Sequence, residues 1–143
     1  KESLVKDTGK AKINVSTLYP HDIVKNYINN TGYYGNKINA KDDIVELQWN
    51  RNVEEVERFL LDNGIKPGRG LGIGDFSGSM YCDNSRPILA CGAAMLMLNE
   101  LASRHSPTWS GGCIAFSEKP SWIPIDNKLS FLKGAKEINF VLS

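Results

Sequence analysis

Residues 72–80 read Gly-Ile-Gly-Asp-Phe-Ser-Gly-Ser-Met and place three oxygen side chains, Asp75, Ser77 and Ser79, at alternate positions. Such groups serve nucleophilic attack, phosphate binding, cation binding or plain turn formation. A phosphate loop of the GxxxxGK[S/T] type needs a Lys after its glycines, and none follows these. The stretch Gly-Arg-Gly-Leu-Gly-Ile-Gly (68–74) is out of register with GxGxxG, and an acid inside an anion cradle would repel phosphate. A hydrolase elbow needs GxSxG, whereas Asp75 stands where its first glycine belongs. The histidines are His21 and His105, and neither sits in a motif that would make it the base for a serine. Three hard oxygens on one turn suit Mg²⁺ or Mn²⁺. One carboxylate and two neutral hydroxyls leave such an ion net positive, ready to accept an acidic group from a partner. A degenerate remnant of a cation site and a plain polar turn stand as the alternatives.

Such a turn must be held by regular elements. The run before it, Arg69–Phe76, is short, apolar and rich in glycine, which predicts a buried strand. After it, Asp83-Asn84-Ser85-Arg86 is a polar cap region, Pro87 falls in a first helical turn, and the helix to His105 is apolar on nearly all sides. Residues 113–125 predict two short strands joined by a tight turn at Glu118–Pro120. Residues 126–143 are expected to hold a short helix and then a strand. A helix buried on most sides between two strands is what a sheet covered on both faces requires, and ligands there bind at the carboxyl ends of the strands. Asp75, Ser77 and Ser79 fall at such an end.

The first half is expected to be mainly helical. Residues 12–20 give a short extended piece stopped by Pro20, residues 21–30 a short helix with Ile23, Val24, Tyr27 and Ile28 on one face, and 30–40 a Gly/Asn-rich loop. Residues 41–64 give an amphipathic helix with Ile44, Leu47, Val56, Phe59 and Leu60 on one face, a break near Asn50–Asn52 and a stop at Gly64. Residues 65–70 form a linker.

At these residues a resemblance to a known family emerges. Asp-Phe-Ser-Gly-Ser (75–79) resembles the DxSxS signature of von Willebrand factor A domains, the metal-ion-dependent adhesion site. Residues 72–80, 86–101 and 114–125 together are similar to uncharacterised proteins whose A domain is related to that of the Ro autoantigen and the TROVE group. The resemblance implies an α/β fold of three layers, Rossmann-like, with a mostly parallel sheet and one antiparallel edge strand. It divides the chain into a helical segment (1–64), a linker (65–70) and part of an A domain (71–143). It implies direct metal contact from Ser77 and Ser79, and contact from Asp75 directly or through water. It also implies a Thr from a second loop and an Asp from a third, and neither is placed before residue 143.

The function that follows is divalent-cation-dependent binding of a protein or ribonucleoprotein partner, without catalysis, with an acidic residue of the partner completing the Mg²⁺ or Mn²⁺ sphere. The rivals are an RNA-binding component of a ribonucleoprotein, a structural subunit with a vestigial metal site, and a metal-dependent hydrolase or phosphotransferase. The net charge of +1 gives no global field for nucleic acid or anionic membrane, and the longest apolar run is shorter than a membrane span. Cys82, Cys91 and Cys113 are odd in number and form no CxxC pair, which points away from zinc and disulfide frameworks and toward an intracellular, cytoplasmic location. Met95, Met97, Trp109 and Trp122 are expected in the core, His105 at a helix end, and Glu54–Arg58 on a solvated helix face.

Overall fold

The computed structural model describes residues 18–30, 40–67 and 69–126. The expectations for residues 12–17, 31–39 and 127–143 lie outside the described residues, as do the side chains of Tyr27 and Ile28.

Among the described residues two helices come first, α1 (Pro20–Asn30) and α2 (Ala40–Asp62). Pro20 opens α1, where its fixed φ suits a first turn and its missing N–H costs nothing; the amides of Asp22 and Ile23 close that turn on the Tyr19 carbonyl at 2.9 and 3.2 Å. Ile23 and Val24 are fully buried. α2 ends where Gly64 adopts φ 69°. The Gly64 amide bonds the Leu61 carbonyl at 3.0 Å and the Ile65 amide bonds the Leu60 carbonyl at 2.8 Å, the paired bonds of a Schellman stop.

Two expectations for α2 are corrected. The helix runs through Asn50–Asn52 without a break, because Trp49 and Val53 on either side are buried and Asn52 Nδ2 donates back to the Gln48 carbonyl at 3.0 Å. Its core-facing stripe is Val45, Trp49 and Val53, which are buried, with Val56 and Leu60 partly buried on the core as expected, while Ile44, Leu47 and Phe59 are exposed. Apolar residues lie on two sides of this helix, and the side carrying the indole wins the core.

The second half contains β1 (Ile73–Asp75), α3 (Cys82–His105), β2 (Gly112–Phe116) and β3 (Pro120–Pro124), with 3-10 turns at Gly78–Tyr81 and Pro107–Trp109. The sheet order is β1-β2-β3. β1 pairs parallel with β2 and β3 pairs antiparallel with β2, so the chain is α/β with a small mixed sheet. α3 is the crossover between the parallel strands. It packs on β1 and β2 and also against α1 and α2, which explains why its sequence is apolar nearly all round. Met95, Met97 and eight further residues of α3 are buried. One hydrophobic core joins Ile23, Val24, Trp49 and Val53 of the first helices to Ile88, Leu96, Cys113 and Ile123.

Strand parity divides the sheet. Gly74, Cys113, Ala115 and Ile123 face α3 and are buried. Gly74 is required there, since a Cβ would lie 2.1 Å from Met95 Sδ and 2.7 Å from Cys91 Sγ. The opposite face carries Ile73, Ile114, Phe116 and Trp122, and three of these are largely open to solvent: Ile73 is 64%, Phe116 40% and Trp122 54% exposed. Trp109 is also exposed, in the 3-10 turn before β2. Both tryptophans expected in the core are therefore on the surface.

Candidate metal centre

The turn begins where β1 ends. The Phe76 amide donates to the Phe116 carbonyl at 2.8 Å, carrying the parallel ladder one residue past Asp75. Phe76 is buried and pins the chain inward. The alternation that buries Gly74 and Phe76 turns Asp75 and Ser77 to the other side. The Met80 amide then bonds the Ser77 carbonyl at 3.0 Å, winding Gly78–Tyr81 into a 3-10 turn that brings Ser79 back toward Ser77.

The three sequence-predicted residues come together. Asp75 Oδ1 accepts the Ser77 amide at 2.8 Å, and the Ser77 and Ser79 hydroxyl oxygens are 3.1 Å apart and share a hydrogen bond. Asp75 and Ser77 are half-buried and Ser79 is exposed. The Ser77 amide, and then the Ser77 side chain, hold the Asp75 carboxyl below its usual range, so it is an anion at neutral pH. Gly78 has open space around it and no positive φ, so the turn does not need glycine there.

Beyond the turn, Asp83, Asn84 and Ser85 adopt φ values of 48°, 55° and 62°. Three successive left-handed residues do not belong to a right-handed helix, and Asp and Asn are the side chains that tolerate this region best. Regular α3 starts after them, with Pro87 in its first turn, as the polar cap region implied.

The cysteines lie at three depths: Cys82 exposed, Cys91 half-buried, Cys113 buried. Burial pushes the Cys91 thiol up and the Cys113 thiol up to about 12, so both stay protonated. Cys91 Sγ lies 3.8 Å from Met95 Sδ beneath β1.

A second polar cluster was not legible from sequence. Glu57 of α2 accepts from His105 and, at 3.3 Å, from Arg104 Nη1, and Arg104 also reaches Glu100 at 3.2 Å. Glu57 thus leaves the solvated face expected for residues 54–58 and ties α2 to the end of α3. His105 is at that helix end, as expected. Among the described residues no group of three or more His, Cys, Asp or Glu side chains is placed to hold a metal, so the donors at the Asp75 turn are one carboxylate and two hydroxyls. No described helix is long and apolar enough to cross a membrane.

Comparison with known proteins adds one relative. The chain is similar to a mimivirus protein (Acanthamoeba polyphaga mimivirus), "Uncharacterized protein L728", with 28% identity over 114 residues. The match covers 80% of this chain and 17% of that protein, so the chain spans less than a fifth of its relative's length. No family model matches, and no solved structure matches.

Proposed function

We propose that the chain is a divalent-cation-dependent interaction module of the von Willebrand factor A type, with a three-layer fold over residues 71–143 behind a helical segment. Asp75, Ser77 and Ser79 hold Mg²⁺ or Mn²⁺, and an acidic side chain of a protein or ribonucleoprotein partner completes the sphere. The observation that carries this reading is the 3.1 Å spacing of the Ser77 and Ser79 oxygens beside an ionised carboxylate. Ligands at about 2.1 Å around an octahedral Mg²⁺ have neighbouring oxygens about 3 Å apart. The position supports it too, at the carboxyl end of a parallel strand.

A catalytic serine fits less well. His105 sits at the far end of α3 from the turn, and the regular helix that runs from Arg86 to His105 at about 1.5 Å per residue puts it about 30 Å away. His21 stacks on Tyr19 at the start of α1, with ring centroids 5.6 Å apart. His105 is thus out of reach of Ser77, and His21 belongs to α1, which packs on α2 and α3.

Calorimetric titration of the full chain and of Asp75→Ala with Mn²⁺ and Mg²⁺ tests the reading. One carboxylate predicts a dissociation constant of about 0.1 to 1 mM, lost in Asp75→Ala and weakened in Ser79→Ala. Equal binding by wild type and Asp75→Ala sinks it.

A further inference from the structure

The chain changes hand between the Asp75 turn and regular α3. Cys82 is extended, with φ −64° and ψ 168°, and its amide donates to the Ser79 carbonyl. Asp83, Asn84 and Ser85 then take φ values of 48°, 55° and 62° with ψ values of 55°, 37° and 19°, and right-handed α3 runs on from Arg86. None of the three is glycine. Left-handed backbone costs free energy at each L-residue and is ordinarily visited by single residues. Three in succession persist only where something opposes the alternative. Packing does not supply it, because Asp83 and Asn84 are exposed and Ser85 is only half-buried.

Pro87 opposes it. Were residues 83–85 to continue α3 as a right-handed helix, the Pro87 nitrogen would fall opposite the Asp83 carbonyl, four positions earlier. Proline has no hydrogen to donate there, and its ring collides with that carbonyl. In the first turn of the regular helix, where Pro87 now lies, it meets neither cost. The penalty for an interior proline is about as large as the summed left-handed penalty of a short Asp-Asn-Ser run, since Asp and Asn tolerate that region. Two conformations of opposite hand are therefore close in free energy. We propose that Asp83–Ser85 is a two-state hinge, left-handed in this structure and right-handed in a minor state that lengthens α3 by about one turn. The reversal is taken up at Cys82, whose amide closes the Gly78–Tyr81 turn on Ser79. The minor state thus loosens the end of the turn that carries Ser79, while Asp75 and Ser77 stay with β1 and the buried Phe76. The hinge is a property of the chain alone and does not depend on whether the turn holds an ion.

Nuclear magnetic resonance of the full chain tests this. The φ-dependent couplings and Cα shifts of residues 83–85 report their hand, and relaxation dispersion reports exchange on the μs–ms scale. Wild type is expected to show left-handed values at these residues, with exchange concentrated over residues 79–86. Asn84→Gly removes the left-handed penalty at an exposed position and should lower the minor population about fivefold. Asn84→Val places a β-branched side chain at positive φ and should raise it by a similar factor. Pro87→Ala restores the missing amide and removes the ring clash. In that variant residues 83–85 should turn right-handed, and the Cys82 amide should lose protection from hydrogen exchange. Left-handed values retained in Pro87→Ala would overturn the proposal, because the proline would then not set the hand. A flat dispersion profile across residues 79–86 in wild type would do the same, by making the segment a fixed turn. Should Pro87→Ala fail to fold, the two variants at exposed Asn84 decide alone, and equal minor populations in Asn84→Gly and Asn84→Val overturn the hinge.

Discussion

Replacing Gly74 by Ala is the sharpest probe of how β1 is seated. The added Cβ would lie 2.1 Å from Met95 Sδ, 2.7 Å from Cys91 Sγ and 2.9 Å from Phe76 Cε2. Comfortable carbon contacts are about 3.5 to 4 Å, so all three neighbours must retreat. Two are flexible side chains, but Met95 is 3% and Phe76 6% exposed, and neither has solvent to move into. Overpacking of this kind costs about 1–3 kcal/mol. For a chain of this length that is a fall in melting temperature of about 3–10 °C. Met95→Ala on its own costs about 2–5 kcal/mol through the cavity it leaves. In the double variant the methyl added at position 74 enters that cavity, so the combined cost falls short of the sum by about 1–2 kcal/mol. Thermal melts and urea titrations of the four proteins measure this cycle. Gly78→Ala is the control, since a Cβ there meets nothing within 4 Å, and its stability should stay within about 0.5 kcal/mol of wild type. Additive costs at positions 74 and 95, or a Gly74→Ala protein that melts like wild type, would refute the close packing of β1 on α3.

Three further outcomes follow from the polar groups and thiols. Asn99 Oδ1 accepts the amides of Gly111 and Gly112 at 3.0 and 3.1 Å. Asn99→Ala strands the buried Gly112 donor and should cost about 2 kcal/mol in urea denaturation; unchanged stability would show that the side chain is dispensable there. The hydrogen bond from His105, together with Arg104, holds the Glu57 carboxyl below its usual 4.5. Its contribution is complete above that value and is lost as pH falls through the folded-state pKa, because the unfolded chain binds the proton more readily. Glu57→Gln should therefore flatten the fall in stability below pH 4.5, and an unaltered acid profile would remove the carboxyl from the clamp. With a thiol reagent, Cys82 should react first, Cys91 slowly, and Cys113 on unfolding, following their exposure and the upward shifts of the buried thiols; rapid labelling of Cys113 in the folded chain would contradict its burial.

What was legible in the sequence depended on whether a signal was local. Gly64 stops α2 because a left-handed residue ends a helix wherever the helix lies. The uniform apolarity of α3 announced burial on two sides, and the helix is held between a helical pair and a sheet. The Asp75, Ser77 and Ser79 spacing needs only a strand followed by one 3-10 turn to bring its oxygens together. Other features required knowledge of the neighbour. Ile44 and Val45 are adjacent on α2, and only the core into which Trp49 packs decides which of them is buried. Glu57 looks like its neighbours Glu54 and Glu55 until His105 and Arg104 arrive from α3. Trp122 was expected to pack because aromatic residues generally do, yet its strand is covered by a helix on one side and its parity places it on the other.

That parity is also why β1 does so much with three residues. Its middle residue must be glycine, because α3 approaches until two sulfur atoms occupy the space of a side chain. Its outer residues, Ile73 and Asp75, then necessarily share the opposite face. Close packing on one side and polar chemistry on the other are therefore one constraint. A slip of one residue against β2 would drive the Asp75 carboxylate into the Met95 contact and turn Gly74 to solvent. Burying an unpaired carboxylate costs several kcal/mol, far more than a three-residue ladder supplies. The register with Ile114, Ala115 and Phe116 is accordingly fixed by the same contact that presents Asp75, Ser77 and Ser79 at the end of the strand.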